Sequence, residues 1–588
     1  MPKQIKKGLP YFLVFSLIIS VIVFGLNFNF QKSGINVKAD TATTTVEVQN
    51  APPGWQVYAF EDPASATSTP TNIGSQVTFK AVGNDPNDDP YYLAICKGEG
   101  ITPGANGGPP TCTAGHWCIS TSTTDETTST CSYTVLESDS EETYAWYAYL
   151  CDAYSDNPQC NSAYSQGSGG SGSPFVVNHR PNFTAISNNS PQLPGDDITW
   201  SSTASDPDTI RGGDNIKLYV CSTSGFDPSS GCTGETLASS SLVLSNPQAV
   251  HTIPVPKPDM SYDAYVFVVD EFGLAATGTA QGSNSQYTVS NATPTIASSS
   301  IYLLDTDGSG NLTLIDEEAS TTGFMISFQI TDNNSCWAVG STSEITAAIG
   351  YVYRTGVGQA ACDSLGEANN NNCYPELTNV EIGPCSGPSQ WTVNATITFA
   401  LWYHADPTVD STPWAAEKWT ASVKAVDDNN ATSSLTEAWT NGQNEVDMLL
   451  ALGLVQDTID YSTVVPGTPS EETTTTVKAT GNVGLDQTLY GTDMELSGNP
   501  SITIPVDRQY WYFATGTAWG STPTSSERDF LQYDPGVEAE LNCLKTTVTD
   551  SPATKNTYWK INVISTQQRG IYYGTNTFIA VASEPGEW

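Results

Sequence analysis

The stretch YDAYVFVVD, residues 262–270, has counterparts in two other parts of the chain. In each, an aromatic residue precedes an aspartate by eight positions: Tyr144 and Asp152, Tyr262 and Asp270, Trp419 and Asp427. Alternate side chains of a β-strand share one face. That face reads Tyr, Trp, Ala, Leu, Asp, then Tyr, Ala, Val, Val, Asp, then Trp, Ala, Val, Ala, Asp. The pattern predicts three core-facing strands that each end in a carboxylate.

A second repeat lies upstream of two of these strands. Phe79 precedes Asp85 by six residues, and Trp200 precedes Asp206 by six. The stretches DPNDDP and DPD follow, and then short apolar runs that end in cysteine. Because Asp and Pro are common in turns, the repeat predicts a strand, an acidic turn and a further strand.

A third repeat has the skeleton valine, asparagine, proline. It occurs in VEVQNAPP (46–53), VVNHRP (176–181) and YTVSNATP (287–294), and its asparagines, Asn50, Asn178 and Asn291, are 128 and 113 residues apart. These separations are the size of a small domain, and proline ends strand pairing. We therefore expect these stretches to be junctions between repeated modules. The predicted ranges are 46–178, 179–291, 292–465 and 466–588, called modules one to four below.

Most of the chain reads as short strands. Runs such as QVTFKAV and IKLYVC are rich in β-branched and aromatic residues and alternate with Gly, Pro, Asn, Asp and Ser clusters. EVDMLLALGLVQ (445–456) is compatible with a helix, but its setting among strands favours a strand. Many short strands without helices predict β-sandwiches.

TASDPD (203–208), followed by a strand and then YDAYVFVVDEFG (262–273), resembles the immunoglobulin-like, cadherin-like and fibronectin-type-III-like modules of bacterial surface proteins. The layout is similar to predicted exported surface proteins of ultra-small uncultured bacteria. The resemblance covers roughly residues 46–440, and module four matches it weakly. It implies an all-β chain of tandem immunoglobulin-like β-sandwich domains, and it implies no particular activity.

The first 39 residues indicate export. Lys3, Lys6 and Lys7 precede an apolar run from Tyr11 to Leu26, which is typical of a secretory signal peptide. The alternative is an uncleaved anchor, although the run is shorter than the roughly 20 residues that a spanning helix requires. We therefore expect a secreted, extracellular cell-surface protein that meets a membrane only through this segment, if it is uncleaved.

Acidic residues dominate the rest of the chain. The full sequence has 62 acidic and 21 basic residues, and five of the lysines lie within residues 1–39. So negative a chain disfavours nucleic acid as a partner and favours multivalent cations. Calcium is the expected cofactor, whereas most of the acids are expected to be a solvated surface.

The thirteen cysteines of an exported chain indicate disulfides. Six fall in module one, two in module two, four in module three, and Cys543 is left over, either as a buried thiol or as an intermolecular link. The predicted pairs are Cys96–Cys112, Cys118–Cys131, Cys151–Cys160, Cys221–Cys232, Cys362–Cys373 and Cys336–Cys385. The alternative for CTAGHWC, a zinc site at His116, is disfavoured because the cysteine count of module one is even.

DTDGSGNLTLID (305–316) fits a twelve-residue calcium loop. This resemblance implies five ligands, at positions one, three, five, seven and twelve: Asp305, Asp307, Ser309, Asn311 and Asp316. The last is an aspartate where such loops have a bidentate glutamate, and Glu317 and Glu318 are neighbours that could compensate. The alternative is a polar hairpin turn.

A second kind of calcium site is expected at one pole of each of the first three modules. There the acidic turn and the aspartate that ends the strand would meet, giving three sets: Asp85, Asp88, Asp89 and Asp152; Asp206, Asp208 and Asp270; Asp332 and Asp427. Carboxylates 4 Å apart repel by about 4 kcal/mol at an effective dielectric of 20, and a divalent cation would reverse that repulsion. The alternative is that the aspartates only cap strands and point into water.

No enzyme is indicated. The four histidines lie in separate contexts, and no nucleophile elbow or phosphate-binding loop is present. The aromatic run RQYWYFATGTAW (508–519) could stack on sugars, although strand alternation favours core packing. We expect a non-catalytic structural protein of the cell surface, an envelope or surface-layer component stabilised by calcium, whose partners are surface proteins, glycans or itself. The alternatives are an adhesin for a host protein or glycan and, less favoured, a carbohydrate-active enzyme with two carboxylates.

Overall fold

The computed structural model describes residues 45–588 except 168–170, 211, 307–309, 315–319, 339–342, 365–368 and 525. Strands make up 44% of the structure and helices 4%, which confirms the all-β prediction. Within the described ranges, no helix has the length and apolar character needed to cross a bilayer. The predicted signal peptide lies outside the described residues.

Strand alternation is visible in burial. On the strand Gln76–Asn84, Val77, Phe79 and Ala81 are buried, whereas Thr78 and Lys80 between them are only partly covered. One face therefore enters the core and the other meets solvent, as a half-exposed antiparallel sheet requires.

Module one consists of three three-stranded sheets and a two-stranded ribbon, in the orders β1-β3-β8, β10-β4-β7, β2-β11-β9 and β5-β6. Its strands are β1 (Gly54–Glu61), β2 (Thr71–Asn72), β3 (Gln76–Asn84), β4 (Tyr91–Cys96), β5 (Ile101–Thr102), β6 (Thr111–Cys112), β7 (His116–Ile119), β8 (Thr128–Thr134), β9 (Thr143–Tyr144), β10 (Tyr147–Asp152) and β11 (Phe175–Asn178).

Module two repeats this plan with the orders β12-β13-β18, β17-β14-β20, β15-β16 and β19-β21. Its strands are β12 (Asn182–Asn188), β13 (Asp197–Ser205), β14 (Ile216–Cys221), β15 (Phe226–Asp227), β16 (Gly231–Cys232), β17 (Thr236–Ser239), β18 (Gln248–Thr252), β19 (Ser261–Tyr262), β20 (Tyr265–Asp270) and β21 (Tyr287–Thr288).

Module three has the longest strands. One sheet has the order β22-β24-β28-β27, with β23 also paired to β24, and the facing sheet has the order β26-β25-β29-β30. The elements are β22 (Thr295–Ile296), β23 (Tyr302–Asp305), β24 (Thr321–Thr331), β25 (Ile345–Arg354), α1 (Gln359–Ser364), β26 (Cys373–Leu377), β27 (Val380–Ile382), β28 (Thr392–Trp402), β29 (Trp419–Asp427) and β30 (Thr436–Glu437).

Module four contains sheets with the orders β31-β32-β39-β36-β37, β38-β33-β41 and β35-β34-β40. Its strands are β31 (Leu452–Leu454), β32 (Thr473–Ala479), β33 (Leu485–Gly491), β34 (Met494–Leu496), β35 (Asn499–Ile504), β36 (Gln509–Tyr512), β37 (Arg528–Phe530), β38 (Val537–Cys543), β39 (Thr554–Ile561), β40 (Tyr572–Tyr573) and β41 (Asn576–Ala582). Single 3-10 turns occur at Ala105–Gly107, Ser298–Ser300, Thr440–Gly442, Val506–Arg508 and Pro585–Glu587.

The ambiguous segment 445–456 contains the short strand β31 and no helix. β31 pairs with β32 of module four, whereas Leu449 packs on the core of module three. Ile459 and Tyr461 also pack on the core of module four.

Each module has its own core. The large apolar clusters span residues 55–177, 183–289, 296–449 and 452–588 among the described residues. In module three, Ile326 and Ile397 of one sheet meet Val352 and Val423 of the other. The chain is therefore a tandem of β-sandwich modules, each with its own apolar core.

The predicted aromatic-to-aspartate strand is continuous only in module three, as β29. In modules one and two it breaks after its aromatic residue. Tyr144 pairs with Phe175 of β11, whereas β10 pairs with β4. The strand thus changes partner within three residues, a bend that alternation alone does not reveal. Its final aspartate still lies at the end of β10, β20 and β29.

All six predicted disulfides are present: Cys96–Cys112, Cys118–Cys131, Cys151–Cys160, Cys221–Cys232, Cys336–Cys385 and Cys362–Cys373. Cys543 is buried and forms no disulfide within the described chain, which is consistent with the first of its two predicted states. The disulfides at Cys112 and Cys118 leave no thiolate for zinc beside His116, so the disfavoured zinc site is absent there.

Candidate metal sites at the module junctions

The asparagine of each repeated junction is hydrogen-bonded to the aspartate that ends the strand of the next module. We name these places junctions one, two and three, after the module that each enters. The side-chain amide donates to one carboxylate oxygen in all three, at 2.8, 2.9 and 2.9 Å, in the pairs Asn50–Asp152, Asn178–Asp270 and Asn291–Asp427. At Asn178 and Asn291 the contact therefore joins one module to the next, and at Asn50 it joins the segment before β1 to module one.

The acidic turn lies beside this contact and has the same geometry each time. The backbone amide two residues on donates to the first aspartate, at 2.7, 2.9 and 2.8 Å, in the pairs Asn87–Asp85, Asp208–Asp206 and Asn334–Asp332. This bond occupies Oδ1 of each aspartate. The Oδ2 atoms of Asp85, Asp206 and Asp332 are buried and have no hydrogen-bond partner.

The linker is also held through its backbone. The amide of the residue after the junction asparagine donates to the side chain at the third position of the turn, in the pairs Ala51–Asn87, His179–Asp208 and Ala292–Asn334. Each junction is thus fixed at two points. Either asparagine or aspartate can occupy this third position, because each has a side-chain oxygen that accepts the hydrogen bond.

Junction three has the clearest set of unpartnered oxygens. Asp332 and Glu344 are each 1% exposed, and Oδ2 of Asp332, Oε1 of Glu344 and Oδ1 of Asn291 lack a hydrogen-bond partner. Among the described residues, no lysine or arginine forms an ion pair with Asp332, Glu344 or Asp427. Buried polar atoms are nearly always satisfied, so this cluster is one where a cation would restore the balance.

Electrostatics at junction three support that conclusion. Burial raises the pKa of Asp332 to about 7 and the pKa of Glu344 to about 8, and the nearby carboxylates of Asp427, Asp259 and Asp428 add to both shifts. The amide of Asn334 acts on Asp332 in the opposite direction. Each pKa unit corresponds to about 1.4 kcal/mol. Without a cation, therefore, ionising both groups is costly.

Junction two brings Asp206 together with Asp208 and Asp214, whose ligand oxygens lie within 4.8 Å of one another. Burial raises the pKa of Asp206 to about 7, and Asp208, Asp214 and Asp270 contribute in the same direction. His179 lies at the rim, with Nδ1 2.6 Å from the Asp208 carboxylate. This junction therefore has a partial internal counter-charge that junction three lacks.

Junction one is the most open of the three. Burial raises the pKa of Asp85 and of Asp89, and the nearby Asp152 carboxylate raises both further. Oδ1 of Asn50 is buried without a partner. Asp88 is exposed with a positive φ of 63°, so it borders the cluster without lying inside it.

The structure brings Asp206 and Asp208 within ligand distance of each other and of Asp214. In the other two predicted sets, the Asp152 carboxylate raises the pKa of Asp85 and Asp89, and the Asp427 carboxylate raises that of Asp332. Calcium binding at the three poles stays a prediction.

The sequence shows the repeat of the asparagines but does not predict that they bind the carboxylates, and it does not predict the part of Asp214 and Glu344 either. Their positions in the sequence are the available signal. Asp214 comes two residues before β14, which pairs with the strand that ends at Asp270. Glu344 comes one residue before β25, which pairs with the strand that ends at Asp427.

The predicted calcium loop is described only in part. Asp307, Ser309 and Asp316, and with them Glu317 and Glu318, lie outside the described residues. Asn311 donates its side-chain amide to Asp447 at 2.8 Å, and Asp305 accepts from the amide of Thr306. Leu312 is buried, and its backbone bonds to Glu445 and Asp447. The loop is therefore tied to residues 445–447, and calcium binding there stays a prediction.

The aromatic run 508–519 is mainly core. Tyr510, Trp511 and Tyr512 of β36 are buried, and Trp511 packs with Trp559 and Leu531. This burial confirms the favoured interpretation and removes these three rings as a sugar-stacking platform.

No family model matches the sequence, and no curated protein matches it. Among solved structures, the chain is similar to domains A168–A170 of titin, with 9% identity, a TM-score of 0.18, and coverage of 66% of this chain and 97% of that one. It is similar to a 1.5-MDa bacterial ice-binding adhesin, with 14% identity, a TM-score of 0.21, and coverage of 68% and 99%. It is also similar to E. coli alpha-2-macroglobulin, with 11% identity, a TM-score of 0.14, and coverage of 92% and 29%. TM-scores of this size do not support an inference about function.

Proposed function

We propose that the chain is an exported, non-catalytic structural protein of the cell surface, and that calcium bound at its junctions holds the modules in line. One observation carries the proposal: the contact between the junction asparagine and the strand-ending aspartate occurs three times, and each time buried carboxylate oxygens without partners lie beside it. An isolated coincidence would not repeat in this way.

The donor set suits calcium. Calcium takes six to eight oxygen ligands from carboxylates, amide carbonyls and water. Junction three offers the side-chain oxygens of Asn291, Asp332, Glu344 and Asp427. Junction one offers Asn50, Asp85, Asp89 and Asp152, and junction two offers Asp206, Asp208, Asp214 and Asp270. Extracellular calcium modules bind in the range of about 0.1–1 mM, so occupancy would follow the medium.

The structural role follows from the location of these sites. Each cluster combines side chains of one module with the linker that enters it, so an ion bound at junction two or three would restrict rotation between modules. The negative surface, the disulfides and the predicted signal peptide fit an extracellular setting.

The test is calorimetry of residues 40–588 with 10 mM calcium and with a chelator. At 10–100 times the dissociation constant, a bound ion stabilises its module by about 1.5–3 kcal/mol, so we expect the earliest melting transitions to fall by about 5 °C on chelation. Unchanged transitions would refute the calcium sites. Glu344→Gln should shrink the response, whereas Glu381→Gln, at an exposed position of the same module, should not.

Light scattering of the same sample addresses the cell-surface role. A surface-layer component should assemble into large particles when calcium is added. A chain that stays monomeric with calcium and binds glycans or partner cells would instead support the adhesin hypothesis.

A further inference from the structure

The interface between modules three and four is built differently from the junctions. Residues 544–553 of module four, which connect β38 to β39, pack against residues 369–371 and 403–406 of module three. At its centre is Lys545, the ammonium of which is almost completely buried. We call this region the lysine interface.

Lys545 is held by oxygens of module three. Its Nζ lies 3.0 Å from Oδ1 of Asp406. It donates to the backbone carbonyl of His404 at 2.6 Å and to the side-chain carbonyl of Asn371 at 3.1 Å. A carbonyl of its own module, that of Thr546, lies at 3.2 Å. This is a set of oxygen ligands around one positive charge, the same chemistry that a metal ion would meet.

A second cation completes the cluster. Arg354 lies 3.2 Å from Oδ2 of Asp406 and 2.6 Å from Oε2 of Glu417. Its contact with Asp406 is ionic, since the Arg354 Nε has no hydrogen bond of good geometry. The ring of Trp414 covers both cations, at 5.1 Å from Arg354 and 5.6 Å from Lys545. Two cations thus face two carboxylates, and the cluster is balanced.

Neutral hydrogen bonds extend the contact. Asn370 and Asn371 donate to Thr549 and to the Thr547 carbonyl, each at 2.9 Å. Asn482 of module four donates to the carbonyls of Ala405 and Asp447, at 3.1 and 2.9 Å. None of these bonds requires an ion, and each joins residues of the two modules.

We infer that Lys545 is a built-in cation that takes, at the lysine interface, the place that calcium takes at the junctions, so that the contact between modules three and four does not depend on metal. The comparison with the junctions rests on the proposed function, whereas the role of Lys545 rests on the contacts above. The chain would then have three contacts that a chelator weakens, at junctions one to three, and one contact that a chelator leaves unchanged, at the lysine interface.

Hydrogen–deuterium exchange of residues 40–588, read by mass spectrometry with calcium and with a chelator, tests this inference. In the unaltered chain, we expect chelation to speed exchange at least tenfold in peptides covering 332–345 and 427–431. Exchange in peptides covering 404–406 and 544–549 should change less than twofold. Faster exchange at both places on chelation would overturn the inference.

Variants test the lysine directly. Lys545→Met should speed exchange at 404–406 and 544–549 at least tenfold in both solutions. Lys555→Met, the same change at an exposed site of module four, should not. If Lys545→Met leaves the lysine interface unchanged, the inference is wrong. If the variant does not fold, the comparison of exchange with calcium and with chelator in the unaltered chain still tests the inference. If chelation has no effect at 332–345, the calcium proposal is refuted but the inference about Lys545 is not. The effect of Lys545→Met on exchange at the lysine interface then tests that inference.

Discussion

The two ends of module three both bury carboxylates, but they differ in whether the chain itself supplies a cation. At junction three, Asp332, Glu344 and Asp427 are buried together with no ion-paired lysine or arginine among the described residues. At the lysine interface, the buried carboxylate of Asp406 lies between Lys545 and Arg354. Removing a charge from water costs several kcal/mol unless a partner compensates. A buried carboxylate therefore needs a cation, and the chain supplies one only at the second place.

The largest effect is expected from removing the supplied cation. Lys545→Met should destabilise the joined modules by about 3–5 kcal/mol, because it leaves Asp406 with one partner instead of two in a buried site. The measurement is chemical denaturation followed by near-UV absorbance. Adding Asp406→Asn should recover much of the loss, since Arg354 keeps Glu417. A double variant no more stable than the single one would contradict this account.

The two ends should also respond to pH in opposite directions when calcium is absent. Burial and the nearby Lys545 lower the pKa of His404 to about 4, so this histidine is neutral in the fold. Below its ordinary value of 6.5, the unfolded chain takes up a proton that the folded chain does not. The lysine interface should therefore lose about 2 kcal/mol of stability between pH 8 and pH 5.

At junction three the sign is reversed. The pKa values of Asp332 and Glu344 are raised to about 7 and 8, so the folded chain takes up protons before the unfolded chain does. Stability from these groups is complete below about pH 4 and is lost as pH rises through 7 to 8. Exchange measured in chelator, corrected for intrinsic rates, should slow at 332–345 and quicken at 404–406 as the pH falls. The same sign at both ends would contradict the comparison.

A smaller effect is expected from Glu344→Gln. In chelator, removing a buried charge among other carboxylates should stabilise module three by about 1–2 kcal/mol. With calcium, the same change removes a ligand and should destabilise it. Thermal melts of this variant and of Glu381→Gln in both solutions measure the reversal. A variant that is less stable in both would show that Glu344 serves packing and not a cation.

The smallest effect is expected from Asn291→Ala. It removes one half-buried hydrogen bond to Asp427, worth about 1 kcal/mol, and leaves the carboxylates in place. The loss should be greater with calcium than with chelator, because the side-chain oxygen is a ligand only when the ion is bound. Equal losses of stability in both solutions would show that Asn291 contributes its hydrogen bond to Asp427 and is not a calcium ligand.

Much of the fold was predictable because its signals are local. Alternation along β3 and β29 identifies core-facing strands, and an even number of cysteines within a module predicts disulfides between nearby partners such as Cys221 and Cys232. The positions of the acidic poles were predictable as well, since Asp85 and Asp152 have counterparts at the same distances from an aromatic residue in other modules. These features depend on neighbours within one strand or one turn.

The remaining features depend on contacts between distant segments. Asn291 lies 136 residues before the aspartate that it binds, and a polar linker residue carries no mark of its partner. Lys545 is 139 residues from Asp406, and in a sequence it resembles any exposed lysine. The break of the predicted strand after Tyr144 likewise results from pairing with Phe175, which no local pattern specifies.

The asparagine contact has a consequence for how such a chain can grow. Asn178 and Asn291 each belong to the segment that leaves one sandwich, and the aspartates that accept their hydrogen bonds belong to the next. A gene duplication that copies one sandwich with its exit segment therefore carries a donor at one end and a matching acceptor at the other. Copies inserted in this way would dock without further mutation, so the length of the protein could change while the joints between its units stayed the same.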